Sequence, residues 1–336
     1  MLKVIDDEKL IRKYAKVFVR AFKPFADEAI KVKLGHQGAS FPARVRWSEK
    51  LGIWFFSQTV QEVRYWNAFG TDRPGKDSRL AIIVEMNFPR AGIDRRTGAA
   101  FASDADGRVY VIHRGIIGGG KKGIGKSLFW DHYRGVWARM EDGRAPALVA
   151  VIGALGSPRF ALQAALFVRK IGKLKAMASI SVQTSLRFPE ITFREELIGR
   201  PPSPASCHIA EACDHGLIVG RLAQMLEERG YKVGNDKNRE LYLGTRAGRG
   251  SAYVLVAVAP DSSERGILST AADLLIRKAS EGKDARAVIV LPEQIMHKYA
   301  RPLESIGVGV LSFRLEPTGV VFPDLHKIRL DQNQRI

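Results

Sequence analysis

Apolar residues near the start recur as Leu10, Ile11, Tyr14 and Val17, the spacing of one helical face, and predict an opening helix over about 7–32. Beyond it the period shortens to two. The stretches ARVRW (43–47), GIWFFSQTV (52–60), EVRYWNAFG (62–70), LAIIVEMNF (80–88) and RVYVIHRG (108–115) are rich in aromatic and β-branched residues and read as strands. SLFWDHYRGVWARM (127–140) reads as the start of a helix weakened by Gly135. ALVAVIGAL (147–155) is a further strand, followed by a helix from Ser157 to about Lys175 that opens on Ser157-Pro158.

After IGRPPSPAS (198–206), whose three prolines mark a linker, the pattern changes. A helix over 216–229 leads to strands near 231–234, 240–243 and 253–259. A helix at 266–280, a strand at 286–291, a helix at 293–305 and a strand at 307–313 follow. Such alternation predicts a layered α/β domain. The expected fold class is therefore α+β: a β-rich domain over about 1–200, then an α/β domain over about 205–330.

Charge separates the same two parts. The 336-residue chain carries a formal net charge of +18. Residues 205–336 hold 18 Lys and Arg against 16 Asp and Glu, which leaves 35 against 19 for residues 1–204. A basic module beside a near-neutral one points to a polyanionic partner, because neutralising phosphates drives nucleic-acid binding whatever the sequence. DNA is the expected partner, with RNA as the alternative. No apolar run approaches the roughly 18 residues that span a bilayer. The opening residues lack the apolar segment of a signal peptide. Two cysteines, Cys207 and Cys213, are too few for a disulfide framework. A cytoplasmic protein is the simplest expectation.

One stretch invites a sharper reading. Residues 120–127, GKKGIGKS, fit the G-x-x-x-x-G-K-[ST] pattern of a nucleotide-binding P-loop. In such a loop Lys126 would reach the β/γ-phosphates and Ser127 would hold Mg²⁺. The acid that should end a neighbouring strand is missing: ALVAVIGAL has none, and Glu85 lies earlier in the chain. The overlapping Gly118-x-Gly120-x-x-Gly123 fits a dinucleotide fingerprint, but Glu141 falls in a turn where that fingerprint needs a strand end. A third reading needs less. Arg108 to Lys126 holds five Lys or Arg and no acid, and successive backbone N–H groups of a glycine-rich loop form an anion-binding concavity. Arg114, Gly119, Gly120, Lys121, Lys122, Gly123 and Lys126 are then the expected contacts to a nucleic-acid backbone. His113 beside them reads as a satisfied surface group, with a catalytic role as the alternative.

Trp47, Trp54, Phe55, Phe56, Tyr65, Trp66 and Phe69 lie close together with Arg44, Arg46 and Arg64 among them. Aromatic faces beside arginines can stack bases or enclose a flipped one. Trp47, Tyr65 and Trp66 are the expected members of such a pocket. Strand alternation opposes it, since Trp54 and Phe56 share one face, Phe55 takes the other, and at least one face must be interior.

The succession GLIVGRLAQMLEERGYKV, NDKNRELYL, YVLVAVAP, GILSTAADLLIRKA and RAVIVLP resembles the restriction-endonuclease-like PD-(D/E)xK fold over about 208–315. The family places an acid on the opening helix, another at the second strand, and E-x-K on the third strand; a polar residue on the following helix often completes the site. Its acids hold Mg²⁺ and its lysine helps activate water. Here the helix offers Glu227 and Glu228, and the second strand offers Asp236 before it and Glu240 at its start. Ala257-Val258-Ala259 stands at the E-x-K positions, and Asp273 stands on the next helix. The resemblance thus implies a nuclease-like domain that has lost cleavage, needs no metal, and is kept for folding, dimerisation (a homodimer) or contact with DNA shape, in a protein that binds modified or foreign DNA in a restriction or defence setting. The alternative is an active Mg²⁺-dependent endonuclease using Glu227, Asp236 and Glu240. Cys207-His208 and Cys213-x-His215 crowd too closely for a separated-pair zinc site and are read as idle or buried groups.

Overall fold

The computed structural model describes residues 1–336 apart from 37–38, 61–62, 119–123, 134, 180–208, 236–239, 245–253, 260–262, 283 and 329–336. It is a mixed α/β protein of two compact units. The first comprises the described residues of Met1–Gln183 and Pro201–Cys213, the second those from Asp214 onward. The proline-rich stretch at 198–206 lies outside the described residues.

The first unit opens with β1 (Leu2–Val4) and α1 (Glu8–Phe22). Asp7 caps α1 by accepting the Leu10 N–H at 2.8 Å, and Ile11, Ala15, Phe18 and Phe22 form its buried face. The helix stops ten residues short of the expected end. Pro24 sits in a 3-10 turn at Lys23–Phe25, and the alternation Ile30-Lys31-Val32-Lys33-Leu34 then belongs to a strand, β2 (Glu28–His36). The strands β3 (Ala39–Ser48), β4 (Ile53–Val60), β5 (Arg64–Gly70), β6 (Arg79–Ala81), β7 (Val84–Glu85) and β8 (Phe88–Pro89) follow.

They form a sheet in the order β6-β2-β3-β4-β5-β7, with β8 also on β5. Only Ile82 and Ile83 separate β6, which pairs with one edge, from β7, which pairs with the other. That short bridge makes the sheet curl around Val32, Leu34, Val45, Trp47, Trp54, Trp66, Ala68 and Leu80.

The remaining elements are β9 (Ala99–Ser103), β10 (Val109–His113), α2 (Lys126–His132), β11 (Val136–Glu141), β12 (Ala147–Ala154) and α3 (Phe160–Ser179). The expected helix from Ser127 breaks after two turns. A side chain at Gly135 would overlap the Tyr133 ring, and Val136-Trp137-Ala138-Arg139-Met140 continues as a strand. β1, β11, β12, β10 and β9 close into a barrel filled by Leu2, Val4, Tyr110, Ile112, Met140, Val149 and Val151. α1 and α3 pack between this barrel and the curled sheet. Phe18, Phe22, Phe55, Phe69, Phe101, Ile152 and Phe160 share the core there.

The second unit continues from Asp214 in α4 (Ile209–Glu227). It adds β13 (Lys232–Gly234), β14 (Leu241–Gly244), β15 (Val254–Val258), α5 (Glu264–Glu281), β16 (Arg286–Pro292), α6 (Glu293–Ser305), β17 (Val308–Glu316) and β18 (Gly319–Val321). The six strands pair in chain order. β13, β14 and β15 are antiparallel, β15 to β17 are parallel through the crossovers α5 and α6, and β18 returns antiparallel. Leu255, Ile267, Leu274, Ile289, Leu291 and Val308 form its core. Their near-continuous apolar runs are what a sheet covered by crossover helices requires.

Candidate functional site

At the glycine-rich stretch, Gly119 to Gly123, including Gly120, Lys121 and Lys122, lies outside the described residues. Its flanks differ from a P-loop. The preceding strand, β10, is antiparallel to both neighbours within a closed barrel, and the following α2 has only 7 residues. Lys126 lies with its ammonium 5.8 Å from the centre of the Trp130 ring. The Ser127 hydroxyl donates to Asp131 at 3.0 Å.

Arg114, expected beside the loop as a phosphate contact, is largely buried. Its side chain is only 10% exposed, and Nη2 lies 3.8 Å from the Asp142 carboxylate. That carboxylate also receives Arg95 at 3.1 Å. Burial lowers the pKa of Arg114, while the charge of Asp142 opposes the shift. His113 is wholly buried against Phe129 and Phe167. Its Nδ1 accepts the Gly115 N–H at 3.0 Å, which leaves the proton of the neutral ring on Nε2. Burial pushes its pKa down to about 4, against a weaker backbone contribution from Glu85. It is a neutral core residue at pH 7.

The proposed aromatic pocket is divided by the sheet. Trp47 and Trp66, 5% and 6% exposed, point into the curled sheet. Trp47 donates its indole N–H to Glu49 at 2.9 Å, and Trp66 packs edge-on against Phe56 at 5.4 Å. Tyr65 faces the opposite way, against the core around α1. Strand alternation forces this result: Tyr65 and Trp66 are consecutive on β5.

In the second unit, Glu240, immediately before β14, does gather chemistry around it. Its Oε2 accepts the Val258 N–H at 2.6 Å, and its Oε1 receives the Nε2–H of His215 at 2.9 Å. His215 stands on α4, so the opening helix, the second strand and the third strand meet here. Burial disfavours the imidazolium, yet the charge and hydrogen bond of Glu240, with the Val258 carbonyl, outweigh it and raise the His215 pKa.

The expected acids of α4 are elsewhere. Glu227 lies twelve residues beyond His215 on the helix, about 18 Å away along the axis, and Glu228 bonds Gln224 and Arg221. Glu227 therefore does not join Glu240. Asp236 lies outside the described residues, as do Cys207 and His208. Asp273 is exposed on α5, and Cys213 is buried in the barrel core of the first unit. His215 was visible in the sequence only as a doubtful metal ligand; its pairing with Glu240 spans 25 residues and left no local signal. Among the described residues no group of three or more His, Cys, Asp or Glu is placed to hold a metal.

No helix among the described residues is long and apolar enough to cross a membrane. Comparison with protein-family models, with curated proteins and with solved structures returned no match.

Proposed function

We propose that the protein binds DNA through its basic first part and that its second unit is a nuclease-like module that does not cleave. The observation that carries this reading is the partition of charge. Almost the whole excess of cations falls in residues 1–204, and phosphate neutralisation is the general source of nucleic-acid affinity.

The second half of the proposal draws on topology and on the junction at Glu240. A helix, three antiparallel strands, a crossover helix and a parallel strand follow in the order the resemblance implied. Where an E-x-K would stand are Ala257 and Ala259, and the one carboxylate is occupied by His215 and Val258. Mg²⁺ prefers several oxygen ligands in octahedral array. Among the described residues this donor set does not fit it, so no hydrolytic step is assigned. Recognition of modified or foreign DNA, in a restriction or defence setting, follows from the resemblance alone.

The test is incubation of the full chain with supercoiled plasmid in Mg²⁺ or Mn²⁺. The expected result is retarded DNA that stays supercoiled. Nicking abolished by Glu240→Ala would replace the proposal with an active endonuclease, and the absence of retardation at low salt would remove DNA as the partner.

A further inference from the structure

The outer surface of the curled sheet has two halves. On β4 and β5 it presents Phe55 and Phe69, which α1 covers with Phe22. On β3, β2 and β6 no helix among the described residues packs over it, and the same surface turns cationic. Register fixes which side chains share it. Arg46 lies opposite both Phe55 and Ala29, Arg44 opposite Lys31, and Lys33 is flanked by Pro42 and Arg79. The alternate residues Val32, Leu34, Val45 and Leu80 point into the core. Lys31, Lys33, Arg44, Arg46 and Arg79 are all exposed.

Three features separate this face from an ordinary solvated one. First, none of the five forms an ion pair among the described residues. Other cations of the unit do: Arg12 with Glu8, Arg73 with Glu28 and Glu49, and Arg95 with Asp142. Second, Lys31 and Arg44 are direct cross-strand partners, an arrangement of like charges that opposes sheet pairing. Third, the face is a regular grid, about 7 Å between alternate residues of one strand and about 5 Å between strands. Five positive groups at that density match a row of phosphates better than any single small anion.

We infer that this face is a docking surface for the phosphate backbone of duplex DNA; the inference rests on the DNA-binding reading above. Duplex is favoured over single strand by what the face lacks. Single-stranded nucleic acids are held by exposed aromatic platforms. Here the other residues on the cationic part of β2 and β3 are Ala29, Gly35, Ser40 and Pro42, and the aromatics of the sheet are turned into cores. Contacts are therefore to phosphates, which position a duplex without reading its sequence.

The experiment is a fluorescence-anisotropy titration of the full chain on mixed-sequence duplex DNA between 50 and 200 mM salt. It compares the wild type, a variant with all five residues changed to Ala, and a charge-keeping variant with Arg44→Lys, Arg46→Lys and Arg79→Lys. Each phosphate contact contributes about 0.9 to the slope of log affinity against log salt. The five-fold variant should lose about 4–5 from that slope and at least about a hundred-fold in affinity at 100 mM, while the charge-keeping variant keeps the slope. Should the five-fold variant not fold, Lys31→Ala with Arg44→Ala should lose about 2.

Wild-type binding with an unchanged slope in a folded alanine variant would overturn the face as the site and leave DNA binding standing. Stronger competition by single-stranded DNA or by duplex RNA would overturn duplex DNA as the ligand class. No binding by the wild type would sink the DNA reading itself, and the face with it.

Discussion

The outer face of the curled sheet and the junction around Glu240 treat charge in opposite ways. On β2, β3 and β6 five cations stand side by side and form no ion pair among the described residues, in exposed positions where water makes the repulsion tolerable. At the junction one carboxylate is closely bound by a backbone N–H and a histidine from another element. The first arrangement leaves electrostatic capacity for a partner. The second uses its capacity internally and leaves little for a metal or a substrate. Folding explains the second fully, and it does not explain the first.

The aromatic core beside the cations is the place to break this contrast hardest. Phe18 is fully buried and packs edge-on against Phe22, Phe69, Phe88 and Phe160. Phe18→Ala should cost about 3–5 kcal/mol. All five tryptophans, at 47, 54, 66, 130 and 137, lie in the first unit, so urea unfolding followed by tryptophan fluorescence reads that unit directly. A loss under about 1 kcal/mol would mean that the helices do not depend on this core.

Acidity distinguishes the units next. His113 has its pKa depressed to about 4, against about 6.5 in the unfolded chain. The unfolded state therefore binds the extra proton first. The first unit should lose about 3 kcal/mol as the pH falls from 6.5 to 4. His215 has the opposite sign, because its pKa is raised. Its contribution is complete below pH 6.5 and disappears as the pH rises through the folded-state value. Tryptophan fluorescence should follow the acid limb; the protection factor of the Val258 amide, its exchange corrected for intrinsic base catalysis, should follow the alkaline one. Acid-insensitive fluorescence unfolding would contradict the assignment of His113 as a buried neutral ring.

Glu240→Ala should leave the Val258 N–H without its acceptor and cost about 1–3 kcal/mol, removing the alkaline loss of protection at that amide, measured as exchange corrected for its intrinsic base catalysis. Retention of that loss would place its source outside the His215–Glu240 pair. The smallest effect sharpens the comparison most. Arg44→Gln removes a like-charge neighbour of Lys31 and should change stability by no more than about 0.5 kcal/mol, in the stabilising direction. It should weaken DNA binding all the same. A clear destabilisation would make Arg44 a structural residue.

Much of this was legible in the residues and some was not, for physical reasons. The apolar runs of β12, β15 and β16 gave strands because burial on both faces leaves no other pattern, and α5 and α6 were legible from their periodicity. The helical spacing of α1 runs directly into Ile30-Lys31-Val32-Lys33-Leu34 and hides β2, although Pro24 marks the stop. The same alternation holds Lys31 and Lys33 on one face, and Ala43-Arg44-Val45-Arg46-Trp47 does so for the arginines. Arg79 could not be added, since its pairing with Lys33 crosses 46 residues. Arg114 shows the converse: a basic residue beside glycines looks exposed until Asp142, far along the chain, draws it inward. Glu240 was identifiable from its place before β14, whereas His215 was recognisable as its partner only once α4 and β14 stood together.

The most direct test of the central claim is the salt dependence of duplex-DNA binding by the full wild-type chain, with nucleotide present and absent. The account predicts tight binding at 50 mM salt that falls steeply by 200 mM, roughly 10³-fold or more for six or more phosphate contacts, indifferent to ATP. Binding that is absent at 50 mM, or that depends on nucleotide, would contradict it.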